Sequence, residues 1–134
     1  MTWPVMVEVP VRWGELDALG HVNNTVFFRW FEDVRIATFT ELGIRWDGPS
    51  SVGPILATTR CDFLAPVRFP ATVTAGCWIG RVGTTSFTMH YEVRVGDDVV
   101  ARGEGVIVLV DYGSGAKVPV DDGLRQRLEA LGRG

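Results

Sequence analysis

The chain has 134 residues, enough for one domain with its own core. Apolar residues make up 46%, the net charge is −3 and no basic run occurs, which argues against a nucleic-acid footprint. The two cysteines, Cys61 and Cys77, give no disulfide framework, and no apolar stretch approaches the roughly 20 residues of a membrane span.

Val5 to Trp13 alternates loosely and predicts a strand, with Pro10 pointing to an edge position or a bulge. Upstream, Met-Thr-Trp-Pro-Val-Met-Val-Glu has no basic n-region and no long apolar h-region, so no signal peptide is expected. Residues 14–23 read as a loop that carries Glu15, Asp17, Gly20 and His21 and ends in Asn23 and Asn24. From Asn24 to Leu42 the pattern is helical, with Asn23 or Asn24 as N-cap and Gly43 as the C′ residue. This helix is apolar on most faces (Val26, Phe27, Phe28, Trp30, Phe31, Val34, Ile36, Ala37, Phe39, Leu42) and is therefore expected to be buried. Its charges fit the pairs Arg29–Asp33 and Glu32–Arg35.

Residues 45–54, rich in Gly, Pro and Ser, read as a loop. Four strand signals follow with no helix between them: Ile55–Leu64, Thr72–Val82, Ser86–Val95 and Val99–Val110. A break at Pro66–Pro70 separates the first two, which as a hairpin would put Cys61 roughly opposite Cys77. Either way the expectation is buried thiols in a reducing compartment. Along the third strand Phe87, Met89, Tyr91, Val93 and Val95 share one face, and Ser86, Thr88, His90, Glu92 and Arg94 the other. Gly96-Asp97-Asp98 is a hairpin turn, and Gly103 and Gly105 mark a bend or a close backbone approach. Asp121 or Asp122 caps a short helix that runs through Leu131. Residues 1–134 thus form a single α+β domain without repeats or linkers. Its five antiparallel strands wrap around one long helix, with a short C-terminal helix added. A sheet covers only one side of so apolar a helix, and a second subunit is the natural cover for the other.

A carboxylate within one loop of a helix N-terminus sits beside unpaired backbone N–H groups and the positive end of the helix dipole. It can attack a carbonyl that those donors polarise, or activate water against it. His21 reads either as a loop residue that orders the turn or as a lining residue that holds Asp17 or water. Glu15, two positions from Asp17, reads as a structural or rim residue, and His90 as a solvated or paired strand residue. No second His or Cys stands at metal-ligand spacing from His21. One of Asn23 and Asn24 is explained by capping alone.

Arg12-Trp13, Glu15, Asp17, Gly20-His21-Val22-Asn23-Asn24, Glu32 and Arg35 resemble the 4-hydroxybenzoyl-CoA thioesterase-like family of acyl-CoA thioesterases, which have the hotdog fold. Cys61-Asp62-Phe63-Leu64-Ala65-Pro66 looks like that family's strand ending in proline, and Val110-Asp111 with Pro119 looks like its closing strand and tail. The resemblance implies hydrolysis of an acyl-CoA to a carboxylic acid and CoA, with CoA entering as part of the substrate and no separate cofactor or metal. It implies Asp17 as the catalytic carboxylate, base or nucleophile, and the N–H near Asn24 as the group that polarises the thioester carbonyl, with His21 beside them. It implies substrate contacts from Asn23, Phe27 and Phe28, and from the turn Arg81, Thr84, Thr85 and Ser86 near the CoA phosphates. It also implies a homodimer or homotetramer. The charge balance and the lack of a signal-peptide or membrane-span pattern give the expectation of a cytoplasmic protein with no nucleic-acid or membrane partner. Glu15 stands where the family has Asp, Phe27 and Trp30 where it has tyrosines, and Phe69-Pro70-Ala71 where it has a Gly-Asp turn. The loss of two hydroxyls makes the acyl pocket less polar. Rival readings are a thioesterase of acyl carrier protein, a non-catalytic acyl-CoA-binding module, and a hydratase, whose Asp…His signature is not visible.

Overall fold

The computed structural model describes residues 3–45 and 52–133. The stretch 46–51 of the expected loop lies outside the described residues. In chain order the elements are β1 (Val5–Pro10), a 3-10 turn (Trp13–Glu15), α1 (Asn24–Leu42), β2 (Val52–Phe63), β3 (Thr72–Val82), β4 (Ser86–Val95), β5 (Asp98–Asp111) and α2 (Asp122–Ala130).

Helix α1 has the bounds its caps dictate. The Asn23 side chain accepts from the N–H of Thr25 at 2.9 Å, and no Gly or Pro interrupts the next 19 residues. Gly43 then takes a left-handed conformation (φ +70°), and its N–H returns to the carbonyls of Phe39 and Thr40. Phe27, Trp30, Phe31, Val34, Thr38, Phe39 and Leu42 recur at helical spacing and are buried against the sheet. Ile36 stays exposed and Phe28 half-buried, so one side of the helix is open in a single chain. Asp121 caps α2 by accepting from the N–H of Leu124 at 2.7 Å, and Arg127 of that helix donates to the Leu42 carbonyl, closing the C-terminal end of α1.

All five strands pair antiparallel in the order β1-β3-β4-β5-β2. The two prolines that lie inside strands, Pro10 and Pro54, fall on the two edge strands, where a missing N–H costs no ladder bond. The expected strand from Val5 to Trp13 stops at Pro10. The Arg12 N–H is taken by the Glu15 side chain at 2.7 Å, which turns the chain into the 3-10 turn and leaves Trp13 exposed. At the other edge β2 begins at Val52, so Gly53 and Pro54 belong to the strand and not to the loop that their residue types predict.

Cys61 and Cys77 do not face each other. Cys61 pairs with Gly103 of β5, whereas Cys77 lies between Val5 and Tyr91. Strands β2 and β3 are joined by a crossover from one sheet edge towards the other, and three strand spacings, about 14 Å, separate them. Both thiols are free. Burial pushes the Cys77 thiol up to about 12 and the half-buried Cys61 to about 11, so each stays protonated at neutral pH.

Strand β4 alternates as read, with Phe87, Met89, Tyr91 and Val93 in the core. Glu92 departs from the expected solvent position. It is 3% exposed, held by Arg94 at 2.6 Å and Arg102 at 3.4 Å. Trp3 stacks on Trp78 at 4.5 Å and Trp78 on His90 at 5.1 Å, so this face of the sheet is covered by its own side chains. His90 also approaches Glu104 at 3.8 Å. No helix among the described residues is long and apolar enough to cross a membrane.

The close approach expected at Gly103 is real. A Cβ there would collide with the Phe31 ring and with the carbonyl oxygen of Arg60. Gly103→Ala should therefore cost about 1–3 kcal/mol, the usual range for overpacking a core. Urea denaturation measures it, and a midpoint equal to that of the parent would show that helix and sheet do not touch there.

Candidate active site

The loop between β1 and α1 closes on itself. Leu16 and Val22 form an antiparallel bridge, the Asp17 N–H donates to the His21 carbonyl at 2.7 Å, and the Asn23 N–H to the Glu15 carbonyl at 2.9 Å. Gly20 makes the reversal at φ +79°, a conformation that L side chains rarely adopt. The crossover between β2 and β3 supports this loop from below. Val22 donates to the Val67 carbonyl at 2.8 Å, and Val67 is fully buried. Asp17 therefore has a fixed backbone although its residue is exposed.

One carboxylate oxygen of Asp17, Oδ1, accepts from the N–H groups of Leu19 at 2.8 Å and His21 at 3.3 Å. These bonds order the turn and hold the carboxylate in place. Oδ2 has no donor among the described residues. One residue beyond the Asn23 cap, Asn24 opens α1, and its backbone N–H is one of the unpaired donors of a helix N-terminus.

Asp17, His21, Val22, Asn24, Phe27, Phe63, Leu64, Ala65 and Pro66 line a cleft of about 400 Å³. The fold thus brings together Asp17, His21, Asn24 and Phe27 from the sequence reading. Phe28 stands just outside, its ring edge-to-face with Phe63 at 6.2 Å. Asn23 is turned away. Its side chain binds the N–H and hydroxyl of Thr25 and lines a different cleft, of about 610 Å³, beside Glu15, Arg29, Trp30 and Asp33. The carboxyl of Asp33 is raised above its usual value by burial and by the neighbouring Glu32, against the lowering effect of Arg29.

Arg81, Thr84, Thr85 and Ser86 lie at the opposite end of β3 from the Asp17 loop, since Thr72 pairs with Pro10 at the near end. The Thr84 carbonyl accepts from Val120 of the C-terminal tail, and the Thr85 carbonyl from Leu109 of β5. Phe63 to Pro66 form one wall of the cleft, a role that their reading as a strand end does not reveal. A signal for them existed in Pro54, which marks β2 as an edge strand and so allows its end to reach the helix N-terminus from the far side.

Arg35 is the buried cation of α1, 8% exposed, reaching the Tyr91 hydroxyl at 3.4 Å and Glu32 at 3.9 Å. Among the described residues no three His, Cys, Asp or Glu side chains gather at one point.

Residues 11–128 match the model of the thioesterase-like superfamily. The chain is 30% identical over 125 residues to the Bacillus subtilis protein YsmA, covering 90% of this chain and 82% of that one. Among solved structures it is similar to the PA2801 protein of Pseudomonas aeruginosa, with 33% identity, a TM-score of 0.85, and coverage of 93% of this chain and 98% of that one. It is also similar to a thioesterase from Thermus thermophilus that was solved in complex with coenzyme A and Zn, with 32% identity, a TM-score of 0.85, and coverage of 96% of this chain and 94% of that one.

Because the Asn23 side chain satisfies a backbone donor that has no other partner, Asn23→Ala should destabilise the protein by about 1 kcal/mol, and Asn23→Asp, another good cap, by less. Thermal unfolding of the two variants checks the order. Equal melting temperatures for both variants and the parent would remove the cap from the account of the site.

Proposed function

The chain belongs to the thioesterase-like superfamily, and we propose that it is an acyl-CoA thioesterase, hydrolysing its substrate to a carboxylic acid and CoA. The observation that carries this reading is the pairing of Asp17, with one carboxylate oxygen unengaged, and the first N–H of α1 along one cleft. A thioester carbonyl oxygen set against the Asn24 N–H becomes more electrophilic at carbon, because the developing oxyanion meets a preorganised donor.

Asp17 then acts in one of two ways. As general base it takes a proton from water, and the hydroxide adds to the carbonyl carbon. The tetrahedral oxyanion collapses, the carbon–sulfur bond breaks, and the thiolate of CoA takes up the proton. As nucleophile its oxygen displaces the thiolate directly, giving a mixed anhydride that water cleaves. Both routes need an ionised carboxylate. A thiolate leaves readily, so neither requires a strong general acid. His21 shares the lining, and in this reading it holds the water. CoA as carrier is supported by the CoA complex of the Thermus relative.

The reading includes a homo-oligomer. Strand β2 leaves one edge unpaired over 12 residues, and Val52, Ile55, Leu56, Phe63 and Leu64 along it are exposed, as is Ile36 on the open side of α1. A long apolar edge of this kind is a template for another strand. A second copy pairing there covers it and adds a wall to the Asp17 cleft, which Phe63 and Leu64 already border. Arg81 and Thr84 to Ser86 can meet the phosphates of a substrate held at Asp17 only if they come from such a second copy, because within one chain they lie at the other end of the sheet.

Asp17→Asn keeps an oxygen for the turn and removes the charge. It should leave the circular dichroism spectrum intact and lower kcat for thiol release by on the order of 10²–10⁴. Unchanged turnover would overturn the assignment. Light scattering at micromolar protein should show a dimer or tetramer, and a fully active monomer would remove the second copy from the site.

A further inference from the structure

We infer that the cleft between the end of β1 and α1, around Trp30, is a binding site for a small zwitterion, an amino acid with an apolar side chain.

This cleft of about 610 Å³ shares no lining residue with the Asp17 cleft. One wall is α1, which contributes Val26, Arg29, Trp30 and Asp33 at the spacing of a single helical face. The other is Val9 and Pro10 of β1 with the 3-10 turn that follows. Strands β1 and β2 are opposite edges of the sheet, and no residue of β2 lines this cleft. A second copy on the β2 edge therefore leaves it as it stands in one chain.

Trp30 carries the argument that a ligand belongs here. It is 1% exposed, and its Nε1 is a buried donor with no hydrogen-bond partner among the described residues. The Phe27 ring, which packs on it at 4.8 Å, has no acceptor atom to offer. A buried N–H without an acceptor is unfavourable, and a ligand that brings an acceptor removes the penalty.

The charges around the cleft balance in sum but do not pair. Arg12 and Arg29 line it together with Glu15 and Asp33, and none of the four is in an ion pair among the described residues. The pair Arg29–Asp33 that helical spacing suggests does not close. Burial and the neighbouring Glu32 hold the Asp33 carboxyl above its usual value, against Arg29, and Glu15 adds to the rise. An ammonium group beside Asp33 would relieve that crowding of negative charge. A carboxylate would find the two guanidiniums and the Trp30 N–H as donors. An anion alone would also meet Glu15 and Asp33, and a cation alone Arg12 and Arg29. A molecule that carries both charges fits where either half does not. Half-buried Val9, Leu16 and Val26 give its side chain an apolar floor.

Isothermal titration calorimetry of the full chain with leucine, valine, methionine and phenylalanine should show saturable binding of at least one, with a Kd of about 1 mM or tighter. The two halves of leucine, 4-methylpentanoate and 3-methylbutylamine, should bind about tenfold more weakly than the best amino acid, or less. Arg29→Gln and Asp33→Asn, both at exposed positions, should each weaken binding by about tenfold. Trp30→Phe, with its fold checked by circular dichroism, should weaken it by about fivefold through the lost N–H. Asp17→Asn should bind as the parent does, so the site stands or falls separately from the hydrolase reading. No binding by any of the four amino acids would overturn the inference, as would a half of leucine that binds as tightly as the best of them. Binding that Arg29→Gln and Asp33→Asn leave unchanged, or that Asp17→Asn abolishes, would place the ligand elsewhere and overturn it equally.

Discussion

Phe31 lies directly on the backbone of Gly103, and that contact sets how closely α1 sits on the sheet. With any side chain at 103 the helix would stand off by the width of a methyl group, and the core packed around Phe31, Val34, Tyr91 and Ile107 would open. The depth of this seating also places the start of the helix. The unpaired N–H groups of Asn24 and the following residues emerge where the acidic loop, the end of β2 and the crossover converge. The geometry at this helix terminus depends on an apolar contact about two turns away.

The convergence is built from backbone bonds, not from side-chain chemistry. Val22 donates to Val67, Asp17 to His21, Asn23 to Glu15, and Leu64 to Val100. Three segments distant in sequence, the loop 15–23, the stretch 64–67 and the start of β5, are thereby tied at one end of the sheet, and Asp17 is left with a constrained main chain.

Charge is confined to places where it is matched. Glu92, taken out of water on the sheet face away from α1, is held by two arginines, because an unmatched buried carboxylate would cost several kcal/mol. Arg35 is buried beside a hydroxyl and at the rim of a carboxylate. The cleft beside Asp17, by contrast, has Val22, Phe27, Phe63, Leu64, Ala65 and Pro66 among its walls. That division of polarity leaves an apolar wall with a carboxylate beside it.

The sequence by itself determined whatever depends on neighbours in the chain. Asn23 and Gly43 fix the bounds of α1 because a cap is satisfied within four residues. The alternation of β4, the tight turn at Gly96 and the edge position of Pro10 follow for the same reason. The segment from Asp17 to Asn24 was readable as a candidate site because loop, cap and helix are contiguous. Only the tertiary structure decided what lies across the gap. Nothing local says that β2 pairs with β5 and not with β3, so the separation of Cys61 from Cys77, the burial of Glu92 and the wall from Phe63 to Pro66 were settled by long-range pairing. The same holds for Arg81 and Thr84 to Ser86, whose distance from Asp17 follows from the antiparallel register of β1 on β3. Strand pairing is chosen by the burial of whole faces, and that sum runs over residues far apart in the chain.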